Sequence, residues 1–158
     1  MDDEIIGYAD ADWDGNKDDR KSTTGYVFLI NGGPVSWTSY KQSSNAVSTM
    51  EAEYMALSDA SREAIARTHL CTDLNIETST PLLLSDSQNT LNLTSPTLNY
   101  QCQKHIDIRY HFIHDVIQKD QVIVDFIPSE EQPADILTKA LGTQSHQNCV
   151  ERLRLRPI

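Results

Sequence analysis

Acid residues recur along this chain at the ends of its apolar segments, and the segments have two different periodicities. Ile5-Ile6-Gly7-Tyr8-Ala9 runs into Asp10-Ala11-Asp12 and then into the turn-rich stretch from Trp13 to Ser22, which places Asp10 at a strand end. Glu51 opens a run with small or apolar residues at Ala52, Met55, Ala56, Ala60 and Ala64. That spacing predicts a helix from residue 49 to about 70, with Ser48 as its N-cap. Pro81-Leu82-Leu83-Leu84-Ser85 reads as a short buried strand that ends at Asp86. Pro133-Ala134 starts a short helix whose first turn holds Asp135 and whose apolar side is Ile136, Leu137 and Leu141.

The intervening segments complete a scaffold. Gly25 to Ile30 and Val35 to Tyr40 are strand-like, and Asn31-Gly32-Gly33-Pro34 between them is a hairpin turn signal. His105 to Lys119 places Ile106, Tyr110, Ile113, Val116 and Ile117 on one side at helical spacing, and Val122 to Ile127 reads as a strand. The order is strand, hairpin, helix, strand, helices, strand, helix, which predicts an α/β layer architecture. The Ala stripe at 52, 56, 60 and 64 lets the long helix approach the sheet closely, as core rather than as a cofactor site.

Asp10, Glu51, Asp86 and Asp135 together suit a two-metal phosphodiesterase site. Paired divalent ions about 3.5–4 Å apart activate a water and steady a leaving oxygen, and several carboxylates are needed to neutralise them. Oxygen ligands favour Mg²⁺, with Mn²⁺ also suited. Without metal such a cluster repels itself. Taken singly, each acid also has an ordinary account. Glu51 makes a capping box with Ser48, Asp10 and Asp12 end a strand in a turn, and Asp135 faces the positive end of a helix dipole. Glu53 competes with Glu51 as ligand, being about 200° round the same helix, and Asp12 competes with Asp10 from the opposite strand face.

Six blocks carry a resemblance to a known family. They are Gly7-Tyr8-Ala9-Asp10-Ala11-Asp12-Trp13, Asp19 to Phe28, Ser48-Thr49-Met50-Glu51-Ala52-Glu53-Tyr54-Met55-Ala56-Leu57, Ser85-Asp86-Ser87-Gln88, Lys104 to Phe112, and Pro133-Ala134-Asp135-Ile136-Leu137-Thr138-Lys139-Ala140-Leu141. In this order they cover nearly all of the chain and resemble the ribonuclease H domain of copia-class LTR retrotransposon polyproteins. The resemblance implies an RNase H fold, a five-stranded mixed sheet flanked by helices, over residues 1–142. It implies endonucleolytic cleavage of the RNA strand of an RNA–DNA hybrid, with Asp10 bridging two Mg²⁺ ions, Glu51 and Asp86 completing one and Asp135 the other. It implies a reverse transcriptase domain of the parent polyprotein as partner and a cytoplasmic place in a virus-like particle. Residues 143–158, ending in an alternating Arg-Leu segment, are expected to be a mobile tail.

The net charge of −10 works against autonomous hybrid binding, which depends on phosphate neutralisation by Lys and Arg. Arg20, Lys21, Ser22, Lys104 and Lys139 are the candidate substrate contacts. Trp13 in its polar loop is a candidate for base stacking, while Trp37 and Tyr40 are expected in hairpin or core packing. The loop Pro128-Ser129-Glu130-Glu131-Gln132 carries no His of the kind that assists turnover in cellular RNases H. Cys102, His105, His111 and His114 have a loose ligand look, but helical geometry spreads them around the axis, and a surface or phosphate-contacting helix is the better account. The three cysteines are odd in number and widely spaced, against a disulfide framework. There is no apolar stretch of membrane-spanning length and no signal-peptide pattern, so a soluble intracellular protein is expected. Two other classes remain: a retroelement-derived binding module without catalysis, and a related DNA nuclease or strand-transfer enzyme. The second fits less well, because the set begins Asp-x-Asp and ends with Asp.

Overall fold

The computed structural model describes residues 3–13, 18–95 and 107–158. Five strands, β1 (Ile5–Asp12), β2 (Thr23–Ile30), β3 (Gly33–Lys41), β4 (Leu82–Ser85) and β5 (Ile123–Phe126), form one sheet in the order β3-β2-β1-β4-β5. β1 is central, antiparallel to β2 and parallel to β4, and β5 is parallel to β4. The helices are α1 (Thr49–Asp73), α2 (Gln88–Asn92), α3 (Asp107–Gln118), α4 (Asp135–Thr138) and α5 (Thr143–Arg152). The expected mixed sheet and its flanking helices are therefore present.

The hairpin closes where the turn chemistry demands. Asn31 at φ 50° and Gly32 at φ 79° both occupy the left-handed region, as a two-residue turn matched to the strand twist requires. Asn31 also reaches back to the residue before β1: its Oδ1 accepts from the Glu4 N–H at 3.1 Å.

Alternation along the strands divides the core in two. Ile5, Ala9, Phe28 and Leu83 pack with Tyr54, Leu57, Ala60 and Ala64 of α1 and with Ile113 and Val116 of α3. Val27, Leu29 and Tyr8, which point the other way, pack with Ala134, Ile136, Leu137 and Leu153 from the C-terminal elements. All four alanines of the α1 stripe are fully buried, and Ala52 and Ala56 lie against Ala11 of β1. The small side chains thus bring the helix axis close to the strand that carries Asp10.

The end of the chain departs from the expectation of a mobile tail. Residues Thr143–Arg152 form α5, which buries Cys149, is followed by the buried C-cap Leu153, and pairs Arg152 with Glu131 at 3.6 Å. The second sheet face supplies the reason. Val27, Leu29 and Tyr8 need a cover, and α4 is a single turn. Trp37 also departs from expectation: it is 65% exposed, at the rim of the apolar groove between β3 and Leu155.

Leu153→Ala should cost about 2–4 kcal/mol of stability, as removal of a buried leucine does. Urea unfolding measures it, and a loss below about 0.5 kcal/mol would match an unpacked tail instead.

Candidate metal centre

β1 and β4 pair only as far as Tyr8 and Leu84, and beyond that point the two parallel strands part. Asp10 lies on β1 just past the last pair, and Asp86 follows the end of β4. Crevices at the carboxyl ends of parallel strands are where open α/β sheets place their sites. Ser87 caps α2 directly after Asp86, its Oγ accepting from the Thr90 N–H at 3.3 Å, which fixes the backbone from which that carboxylate projects.

The third carboxylate comes from α1, and it is Glu53. Carboxylate oxygens of Asp10, Glu53 and Asp86 all lie within 4.8 Å of one another. Glu51, expected here, is committed to the helix start: its N–H donates to Ser48 Oγ at 3.2 Å, and its Oε2 accepts from the Val47 N–H at 2.7 Å. The helix turns about 200° between the two residues, so only one of them can face the crevice. The Ser48-x-x-Glu51 capping box was the available signal, since it occupies the Glu51 carboxylate and leaves Glu53 free.

α4 closes the site from the other sheet face. Gly25, the β2 partner of Asp10, makes this approach possible: a Cβ there would lie 2.7 Å from Thr138 Cγ2 and 2.8 Å from Leu137 Cβ. The Thr138 hydroxyl donates to Asp10 Oδ2. Gln132, buried just before α4, donates from Nε2 to the Ala9 carbonyl at 3.0 Å and accepts from the Ala134 N–H at 3.3 Å. These contacts pin α4 beside β1 and bring Asp135 near Asp10. Asp135 itself stands outside the three-carboxylate cluster and pairs with Lys139 at 3.2 Å. Thr138 and Gln132 are positioning residues that sequence patterns do not single out.

The electrostatics are those of crowded anions. Burial, then repulsion from Asp10 and Asp86, pushes the Glu53 carboxyl well above the ordinary carboxylate range. Burial raises Asp10 too, and the Lys139 ammonium and the Thr138 hydrogen bond only partly offset it. Glu53 Oε2 is buried without a hydrogen-bond partner, which is costly for a group of this kind. Three hard oxygen donors at this spacing, one of them unpaired, fit a divalent cation.

The other sequence candidates are dispersed. Arg20 and Lys21 precede β2 at the sheet end that carries Asp10, with Arg20 exposed. Ser22 is fully buried and its carbonyl accepts from the Gln42 N–H at 2.8 Å, so its side chain is not placed to meet a substrate. Lys104, Cys102 and His105 lie outside the described residues. His114 is a packing residue, with Nε2 2.7 Å from the Leu93 carbonyl oxygen and its ring against Tyr110. Trp13, 42% exposed, anchors its indole N–H on the Ala46 carbonyl at 3.1 Å.

Because Asp10 and Glu53 hold protons more readily folded than unfolded, their contribution to stability is full at low pH. It falls once pH passes the ordinary carboxylate range and is lost as pH passes the raised values. Metal-free protein should therefore lose stability toward alkaline pH, and Mg²⁺ should restore it. In EDTA at about pH 8, Glu53→Gln should be more stable than the parent by about 1–3 kcal/mol and should no longer gain from Mg²⁺. Glu51→Gln should keep the Mg²⁺ response and lose about 0.5–1 kcal/mol of capping. Urea unfolding with and without Mg²⁺ checks both, and the opposite pattern would return the ligand role to Glu51.

No protein-family model matches the chain. It is 37% identical over 147 residues to the retrovirus-related Pol polyprotein from transposon TNT 1-94 of Nicotiana tabacum, covering 93% of this chain and 11% of the polyprotein. The chain thus spans about a tenth of the length of such relatives. Among solved structures, LC11-RNase H1, isolated from compost by a metagenomic approach, superposes with a TM-score of 0.65 at 18% identity, over 85% of this chain and 92% of that one. The foamy viral protease-reverse transcriptase in complex with RNA/DNA hybrid matches with a TM-score of 0.59 at 18% identity, over 92% of this chain and 20% of that one. The chain is thus an RNase H-fold homologue of part of the retrovirus-related Pol polyproteins of plant copia-type transposons.

Proposed function

We propose that this chain is a metal-dependent endoribonuclease that cleaves the RNA strand of RNA–DNA hybrids during retrotransposon reverse transcription. The carrying observation is the buried, partnerless Oε2 of Glu53 beside Asp10 and Asp86, in a fold of the RNase H kind. Two Mg²⁺ ions are the proposed cofactors, with Mn²⁺ as a substitute. Asp10, Glu53 and Asp86 would hold one and Asp10 with Asp135 the other. When bound, they would supply an activated water and neutralise the leaving oxygen.

The remaining chemistry belongs to the chain. The Thr138 hydroxyl donates to one oxygen of Asp10 and so orients a carboxylate that would serve as metal ligand. Gln132 holds the Asp135 segment against β1. Arg20 and Lys21, at the same end of the sheet, are the proposed backbone contacts for the hybrid, and the partly exposed Trp13 is the proposed stacking side chain. No His stands in the loop from Pro128 to Gln132, so no imidazole there relays a proton.

The upstream reverse transcriptase domain of a parent polyprotein is the proposed partner. The polyprotein relatives support it, as does the foamy viral protease-reverse transcriptase solved in complex with RNA/DNA hybrid. A cytoplasmic site in a virus-like particle is part of the same proposal. None of the described helices is long and apolar enough to cross a membrane. A second reading, a module of little independent activity, draws on the net charge of −10, which weakens phosphate binding by the isolated chain.

Cleavage of a labelled RNA–DNA hybrid at low salt with Mg²⁺, Mn²⁺ or EDTA separates the two, beside RNA and DNA duplex controls. Metal-dependent cutting of the hybrid's RNA strand alone, abolished in Asp10→Asn, is the expected result. Absence of cutting by folded protein in either metal would favour the module, and cutting by Asp10→Asn would overturn the site.

A further inference from the structure

Lys139 stands where a cation is needed. Its Nζ lies 3.4 Å from Asp10 Oδ2 and 3.2 Å from Asp135 Oδ1, bridging the carboxylates proposed for the second ion. The geometry is built rather than incidental. Lys139 is the C-cap of α4 and leaves the helix in an extended conformation, φ −149° and ψ 158°, four residues after Asp135. Its N–H still bonds the Asp135 carbonyl at 3.2 Å, so the side chain departs from a fixed point.

The surrounding groups define what it does. Asp10 is almost fully buried, whereas the Lys139 side chain keeps 36% of its surface exposed. An ammonium in that position can neutralise the pair and also swing into solvent. It cannot share the space with a divalent ion, because a Mg²⁺ needs oxygens at about 2.0–2.1 Å and its own waters around it.

We propose that Lys139 is an internal counter-ion for the Asp10–Asp135 edge, holding that half of the site assembled without metal and competing with the second divalent ion for it. The proposal rests on the metal reading above. Lys139 is in this sense a positioning residue, acting through Asp10 and Asp135. Burial works against its charge, yet the two carboxylates outweigh burial and hold the ammonium above the ordinary lysine value.

Mn²⁺ binding to the 158-residue chain without nucleic acid, counted by electron paramagnetic resonance and titration calorimetry, tests it. The parent and Lys139→Arg should bind one ion well. Lys139→Met should bind a second at least about tenfold more tightly than the parent does, as expected when a competing charge is removed. Lys139→Met should also melt lower than the parent in EDTA and recover in Mn²⁺. Lys41→Met, which removes an equal charge paired with Asp19 at 2.8 Å, should leave the ion count unchanged. Equal second-ion affinity in the parent and Lys139→Met, or a Lys139→Met deficit that Mn²⁺ does not repair, would overturn the counter-ion role. A gain in Lys41→Met matching that in Lys139→Met would overturn it as well. Failure of all four proteins to bind any ion would overturn the metal reading beneath it.

Discussion

The structure turns on the cost of holding carboxylates together out of water. Asp10 and Glu53 are nearly inaccessible, Asp86 is beside them, and Glu53 has an oxygen with nothing to accept from. Uncompensated, such a group opposes folding, which is why the neighbourhood is so heavily braced. Thr138 and Lys139 approach Asp10 from α4, and a backbone hydrogen bond from Ala11 reaches Glu53. These contacts offset burial and the lesser repulsion only in part, because both carboxyls remain raised above their ordinary range.

The rest of the fold supplies rigidity at that point. The alanine stripe lets α1 lie against β1 closely enough for Glu53 to reach the crevice. Gly25 does the corresponding service on the other face, where any side chain would strike α4. Gln132 joins the two, bonding the β1 backbone one residue before Asp10 and the start of α4. α5 then covers α4 through Leu153, so a segment far from the carboxylates still supports the element that brings Asp135 and Lys139 to Asp10.

Much of this frame was legible in the sequence. Short apolar, strand-like runs marked β1, β2 and β3, and the turn-rich Asn31-Gly32-Gly33-Pro34 marked the hairpin, because both depend on local backbone preferences. Ser48 and the Ala spacing gave α1 almost to its ends. The tail was misread because Cys149 and Leu153 stand in a largely polar segment and show little apolar pattern until the second face of the sheet needs covering. Trp37 was misread for the converse reason: a strand-like aromatic is buried only if another element reaches it, and here it stays at the groove rim.

The sequence by itself determined that acids would end strands and begin helices, since turn chemistry, capping and the helix dipole act within a few residues of one another. It also determined the α/β class and the order of elements. Which of Glu51 and Glu53 would meet Asp10 was left to the tertiary structure, because the answer lies in the rotation of α1 about its axis as it packs on β1. The same holds for Thr138, Gln132 and Lys139, which lie more than a hundred residues from Asp10 and become its neighbours only when α4 settles on Gly25. Contacts of that separation are set by packing against the whole sheet, and no local propensity encodes them.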